Sequence, residues 1–295
     1  MLSGAAAASA STATVVGPTA MSGNPCPPAK AAAAGGSSFL DMILTPGARF
    51  VPPGQGLAPQ AKQAGERAAA AQRARDWADI CRYRAADEAL TGRARVVLMG
   101  DSITDFWRQG APGLFRHGVV DRGISGQTSS QMLVRFWPDV IALHPRIVQI
   151  LAGTNDIAGN TGPTSERQYE QNIEAMVELA QARHIRVLLG SIPPAVSFWW
   201  TPHPYRPAAQ IRRLNGWLRR YARARGAGFV DYYAALATPA GAFRRDLSND
   251  GVHPNRAGYR VMTALLRRAL AAGQEPRSGA SQDPDVSGQD SDSRS

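Results

Sequence analysis

Five histidines stand in this 295-residue sequence, and one is placed to move a proton. In Asp250-Gly251-Val252-His253 a carboxylate precedes an imidazole by three residues across a glycine-containing turn. The carboxylate can fold back onto Nδ1, which fixes the tautomer and leaves Nε2 as a base. His144 and His184 lie on the approach to apolar runs, at what should be the far edge of a sheet. His117 sits between a helix and the second apolar run, and His203 lies in a Pro-rich aromatic loop. A base of this kind is what a serine hydroxyl, a weak nucleophile at neutral pH, requires. The candidate is Ser102 in "RVVLMGDSITDFW", where the apolar run Val96–Met99 breaks at Gly100-Asp101. Serine there is equally a favoured helix cap, so the partners decide its role. Acyl transfer also needs donors aimed at the developing oxyanion. The set on offer is the Ser102 N–H, the Gly126 N–H in "GISGQTS" and the Asn155 side-chain amide in "LAGTNDIAGN". Asp101 reads as holding its turn, Asp156 as a loop hydrogen-bonder, and Asp105 as favouring a helix N-terminus electrostatically.

These residues sit at the ends of short apolar runs. The runs are Val96–Met99, Val119–Val120, Ile147–Leu151, Val187–Leu189 and Phe229–Val230. Helical patterns alternate with them. Ser165-Glu166-Arg167-Gln168 is a capping box opening a helix toward His184. Ala209 to Arg225 places Ile211, Leu214, Leu218 and Tyr221 on one face, with Gly226 as a stop. Pro254 to Leu270 repeats the pattern, with Pro254 suited to a first helical turn. Upstream, Gly65 to Leu90 is Ala-rich and charged, with Trp77, Ile80, Tyr83 and Leu90 near helical spacing, and reads as a lead-in helix packed on the domain. Such alternation predicts an α/β fold with a parallel sheet covered on both faces, whose ligands bind at the carboxyl ends of the strands.

Composition bounds the rest. Residues 1–64 and 274–295 are low in periodic apolar signal and read as a disordered leader and tail around one domain at 65–273. The net charge of +10 comes almost wholly from arginine, since lysine occurs only at Lys30 and Lys62. The arginines are scattered, without the aromatic interleaving of a single-strand binder, so nucleic acid is not an expected partner. No run reaches transmembrane length. The first 20 residues lack the basic start and strong apolar stretch of a secretory signal, and Met21 or Met42 are alternative starts, so the compartment stays open between export and the cytoplasm. Cys26 and Cys81 have no metal-ligand spacing, and no disulfide framework is expected. Oligomeric state is unreadable.

Four blocks in order, "GDSITD", "GISGQTS", "GTND" and "DGVHP", resemble the SGNH family of serine hydrolases, also called GDSL-type esterases and lipases. The loop "GISGQTS" is similar to the acetylhydrolase-like and lysophospholipase-like branch, and Ile103 replaces the leucine of the motif name. The resemblance implies a flavodoxin-like three-layer α/β/α sandwich, a Ser102/Asp250/His253 triad and an oxyanion hole of Ser102, Gly126 and Asn155, with neither cofactor nor metal. It also implies hydrolysis of a carboxylic ester carrying a short acyl group, such as an acetyl ester of a sugar, with a small-molecule or glycan substrate. A lysophospholipase or thioesterase is the alternative within the family. Outside it stand a metal-dependent phosphoesterase using Asp101, Asp105, Asn155, Asp250 and His253, and a non-catalytic glycan-binding protein. Trp107, Phe198, Trp199, Trp200 and Tyr205 are the candidates for lining the substrate pocket.

Overall fold

Each apolar run of the sequence forms a strand: β1 (Val96–Gly100), β2 (Val119–Gly123), β3 (Ile147–Leu151), β4 (Arg186–Gly190) and β5 (Gly228–Val230). All pair in parallel, in the order β2-β1-β3-β4-β5. That is the flavodoxin-like order of a doubly wound sheet. The structure is a computed structural model and describes residues 26, 38–53, 58–201 and 205–272.

Alternation along the strands divides the core in two. Val97, Met99, Val148, Ile150, Val187 and Leu189 face one layer, built largely by the helices Glu166–Gln181 and Ala208–Ala224. Val96, Leu98, Leu188 and Val230 face the other, covered by Trp107, Tyr232 and the helix Arg256–Ala271. Both faces are apolar because both are covered, and each fully buried aliphatic side chain contributes about 1.5–3 kcal/mol. The result is the three-layer α/β/α sandwich.

Several local expectations need correction. Pro254 does not open the last helix: it bridges to Ser248, and Asn255 caps the helix by accepting from the Ala257 and Gly258 N–H groups. The lead-in segment is not one helix. Pro59–Arg75 ends at Asp76, whose carboxylate accepts from the Ile80 and Cys81 N–H groups and so folds a turn; only Arg84–Glu88 is helical again. Trp77, Ile80 and Leu90 are consequently exposed rather than packed on the domain. Upstream of Gly65, in a stretch expected to be leader, Ser38–Leu44 forms a helix that buries Ile43 and Leu44 in the second layer. Cys26 and Cys81 are both disulfide-bonded, where sequence gave no reason to expect a bridge. The described residues from 38 onward belong to one compact unit, and Cys26 belongs to another. The expected tail, 274–295, lies outside the described residues. Among the described residues no helix is long and apolar enough to cross a membrane.

Candidate active site

The sheet order reverses between β1 and β3, and a crevice opens at such a point beyond the carboxyl ends of the strands. Ser102 follows β1 there and Asn155 follows β3. Close packing fixes the Ser102 turn. A Cβ on Gly100 would lie 2.1 Å from Thr104 Oγ1, and one on Gly123 would lie 2.1 Å from the Asp105 nitrogen. Only glycine lets the turn after β1 lie this close to β2. The N-cap of the short helix Ser102–Asp105 is Asp101, whose Oδ1 accepts from the Ile103 N–H at 2.9 Å. Ser102 is the first helical residue instead, and its hydroxyl is left for other partners.

That partner is His253. Ser102 Oγ lies 2.9 Å from His253 Nε2, and His253 Nδ1 lies 2.6 Å from Asp250 Oδ2. Ser102 and His253 are 8% and 5% exposed, so water does not compete for these bonds. Asp250 accepts through Oδ1 from the Val252 and His253 N–H groups at 2.9 and 2.7 Å. Its Oδ2 also accepts from Trp199 Nε1 at 3.1 Å. Burial alone would raise the Asp250 pKa, but the charge and hydrogen bonds of His253 and the Val252 N–H outweigh it and hold it at about 2. An ionised Asp250 can only accept, so Nδ1 carries the imidazole proton and Nε2 presents its lone pair to the Ser102 hydroxyl.

The expected oxyanion residues border the same cleft, which Ser102, Gly126, Asn155 and His253 line together. Gly126 holds φ +81°, and a Cβ there would meet only Asn160 Nδ2 at 3.8 Å, so conformation rather than space requires glycine. The Asn155 amide has neighbours of its own. Its Nδ2 donates to the Gln127 carbonyl at 3.0 Å and to Asp101 Oδ2 at 3.2 Å. Asn160 Nδ2 donates to Asn155 Oδ1 at 2.8 Å and to the Gly126 carbonyl at 3.1 Å, and Asn160 Oδ1 accepts from Trp200 Nε1 at 2.9 Å. Asn160 therefore locks the orientation of the Asn155 amide. Sequence reasoning passed over it; its place at the end of "GTNDIAGN" was the available signal. Burial raises Asp101 to about 7, partly offset by the Ile103 N–H and by His253. Asp156 is a hydrogen-bonder, as expected, but it lies in the short helix Thr154–Ala158 rather than in a loop; its carboxylate accepts from the Ser129 backbone N–H and hydroxyl.

The aromatic candidates separate. Trp199 and Trp200 line the cleft, which has a volume of about 220 Å³. Trp107 does not: it is fully buried in the second layer, with Nε1 donating to Thr263 Oγ1 at 2.9 Å. Phe198 turns inward and packs against Trp200 from the core side. Tyr205 is an exposed surface side chain whose hydroxyl donates to Gln210. In their place stand Phe106, with its ring centroid 5.3 Å from that of His253, and Phe39 from the upstream helix, packed edge-on to Phe106 and Trp199. His203 lies outside the described residues. Among the described residues no group of three or more His, Cys, Asp or Glu side chains could hold a metal ion. Asp105, one of the metal ligands considered, instead accepts from the Ser125 hydroxyl at 2.7 Å.

The model of the GDSL-like lipase/acylhydrolase family matches residues 98–261, more than half of the chain. The chain is similar to a solved Bacteroides fragilis protein assigned as an acylhydrolase, at 43% identity and a TM-score of 0.65, over 67% of this chain and 98% of that one. It is similar also to a solved GDSL-like lipase from Bacteroides thetaiotaomicron, at 41% identity and a TM-score of 0.64, over 66% and 98% of the two chains. No curated relative matches. With a family match over residues 98–261 and solved relatives at 43% and 41% identity, the chain belongs to the GDSL-like lipase/acylhydrolase family of carboxylic ester hydrolases.

Proposed function

We propose that the protein is a serine esterase that cleaves short acyl esters, acetyl esters of sugars among them, through an acyl-enzyme on Ser102. The observation that carries this reading is the Ser102–His253–Asp250 chain of hydrogen bonds opening onto a small aromatic cleft. Ser102 Oγ attacks the ester carbonyl carbon as its proton passes to His253 Nε2. The carbon–oxygen bond to the alcohol breaks, and the same proton leaves with that alcohol. Water then repeats the sequence and frees the acid. Asp250 stabilises the imidazolium formed in both halves.

The oxyanion is held by the Ser102 N–H, the Gly126 N–H and the Asn155 amide. Asn155 reaches it by exchanging its longer bond, the one to Asp101, for the stronger one to a full negative charge. The cleft suits a short acyl group because Phe39, Phe106, Trp199 and Trp200 wall a space of only about 220 Å³. Turnover of p-nitrophenyl esters from C2 to C12 tests this directly, with Ser102→Ala as the baseline. The reading predicts a maximum at C2–C4 that the variant abolishes. A maximum at C8 or longer would overturn the short-acyl preference, and a variant as active as wild type would remove Ser102.

A further inference from the structure

A second cleft, of about 420 Å³, lies beside the first and shares Ser125, Gly126, Asn160 and Trp200 with it. Its far wall comes from residues upstream of the family match: Gln72 and Arg73 at the end of the helix Pro59–Arg75, then Asp76, Trp77 and Asp79. This wall is fastened to the catalytic side of the sheet. Gln127 Nε2 donates to the Ala78 carbonyl at 2.7 Å, and Gln131 Nε2 to the Trp77 carbonyl at 2.6 Å. Arg135 Nε in turn donates to Gln127 Oε1 at 2.5 Å, so Gln127 cannot swing away.

The two clefts differ in chemistry. Around Ser102 the walls are mostly aromatic. In the second cleft an indole ring, Trp77, stays 43% exposed, flanked by an amide, a guanidinium and carboxylates, with Trp200 at the junction. An exposed indole among groups that donate and groups that accept suits a ligand with an apolar C–H face rimmed by hydroxyls. Asp76 already accepts from the Ile80 and Cys81 N–H groups, and Gln72 Nε2 donates to Asp79 Oδ1 at 3.4 Å. A fatty chain would offer nothing to these polar side chains or to Arg73, and a polyanion would meet Asp76 and Asp79. Trp200 links the sites, its ring centroid 6.3 Å from that of His253. A saccharide whose ester oxygen lies at His253 Nε2 can therefore pass over Trp200 into the second cleft.

We propose that this second cleft is a saccharide subsite, holding the sugar of an O-acetylated glycan while its acetyl ester lies at Ser102. The assignment rests on the serine-esterase reading above. Trp77 is its platform, and Gln72, Arg73 and Asp79 address the hydroxyls.

The test compares Trp77→Ala and Gln72→Ala with wild type, as full-length protein, on p-nitrophenyl acetate and on O-acetylated xylo-oligosaccharide. Both side chains lie outside the Ser102 cleft. The expected result is a tenfold or greater fall in kcat/KM for the oligosaccharide with Trp77→Ala, a smaller fall with Gln72→Ala, and turnover of p-nitrophenyl acetate within twofold of wild type. Unchanged oligosaccharide turnover in both variants would overturn the subsite. So would parallel losses on both substrates, which would mark a structural role. Wild type that cleaves p-nitrophenyl acetate but not the oligosaccharide overturns the subsite and leaves the esterase standing. Wild type inert to both substrates removes the esterase reading itself.

Discussion

Around Ser102 each polar atom is assigned by what its neighbour can offer. Asp250 is ionised and accepts from His253 Nδ1, so it sets which imidazole nitrogen is basic. Asp250→Asn would present a mixed donor and acceptor there and favour the wrong tautomer. A fall in kcat of roughly ten-thousandfold is expected, the scale seen when a triad aspartate is so replaced; stopped-flow or steady-state turnover of p-nitrophenyl acetate would measure it, and a loss of only a few-fold would detach Asp250 from the mechanism. Asn155→Ala removes one oxyanion donor and should cost about a hundred- to a thousandfold in kcat with little change in KM. Asn160→Ala leaves Asn155 in place but frees it to rotate, so its loss should be smaller and again fall on kcat rather than KM. The gathering of Ser102, Gly126, Asn155, Asp250 and His253 at one place was legible because each is a residue type that the proposed chemistry demands at a strand end or helix entry. Asn160 was not, because its work is to orient another side chain, and nothing in residue type alone reveals that.

At the scale of elements, the strands were legible as apolar runs and the helices Glu166–Gln181, Ala208–Ala224 and Arg256–Ala271 from their periods or caps, while the lead-in helix and the turns were not. Trp107 follows Ser102 closely in sequence, but the chain breaks between Ser102–Asp105 and Trp107–Gly110, and its ring points into the layer beneath. Of three consecutive aromatics, two face the cleft and Phe198 faces the core, a choice set by a loop backbone that no sequence period describes. What aligns the strand ends is Arg135, fully buried. Its guanidinium donates to the Arg122 carbonyl at 2.9 Å, the Gly100 carbonyl at 3.0 Å and Asp139 Oδ2 at 2.7 Å, joining the ends of β1 and β2. Arg135→Met strands Asp139 in the core and should cost about 3–5 kcal/mol in urea unfolding. A change below 1 kcal/mol would contradict this role. Asp121 on β2 gives a second element-scale prediction. Burial raises its pKa to about 8, partly offset by the Gly123 N–H that it accepts. Its folded pKa lies above its unfolded value, so between about pH 4 and pH 8 the folded state holds a proton that the unfolded state has lost. Its contribution to stability therefore falls as pH rises through that window. Asp121→Asn keeps the acceptor for Gly123 and should flatten the decline, read from unfolding midpoints at pH 5 and pH 8; an equally steep decline in the variant would reject the assignment.

Across the whole molecule, the site is finished by residues far from its motifs in sequence. Phe39 reaches the cleft because the helix Ser38–Leu44 is held by Asn249, whose Nδ2 donates to the carbonyls of Met42, Ile43 and Thr45 at 2.7, 3.1 and 2.7 Å. Asn249 adjoins Asp250, so the turn that carries the carboxylate bonded to His253 also anchors the upstream segment. Asn249→Ala should speed amide exchange in residues 38–47 and raise KM for a butyryl ester several-fold, while kcat changes little. The upstream segment was illegible because Ala-, Gly- and Ser-rich sequence surrounds it, and a contact this long in range leaves no local period. The three-layer fold was legible because strand–helix alternation admits few other arrangements. The central claim, that Ser102 is the nucleophile activated by His253 and Asp250, is tested most directly by covalent capture. Diethyl p-nitrophenyl phosphate transfers its phosphoryl group to an activated serine and releases p-nitrophenol. Intact-mass and peptide mapping should find one diethylphosphoryl group per chain, on Ser102, with esterase activity lost in proportion and no labelling of His253→Ala. Stoichiometric labelling of a different residue, or full activity in the labelled protein, would contradict the account.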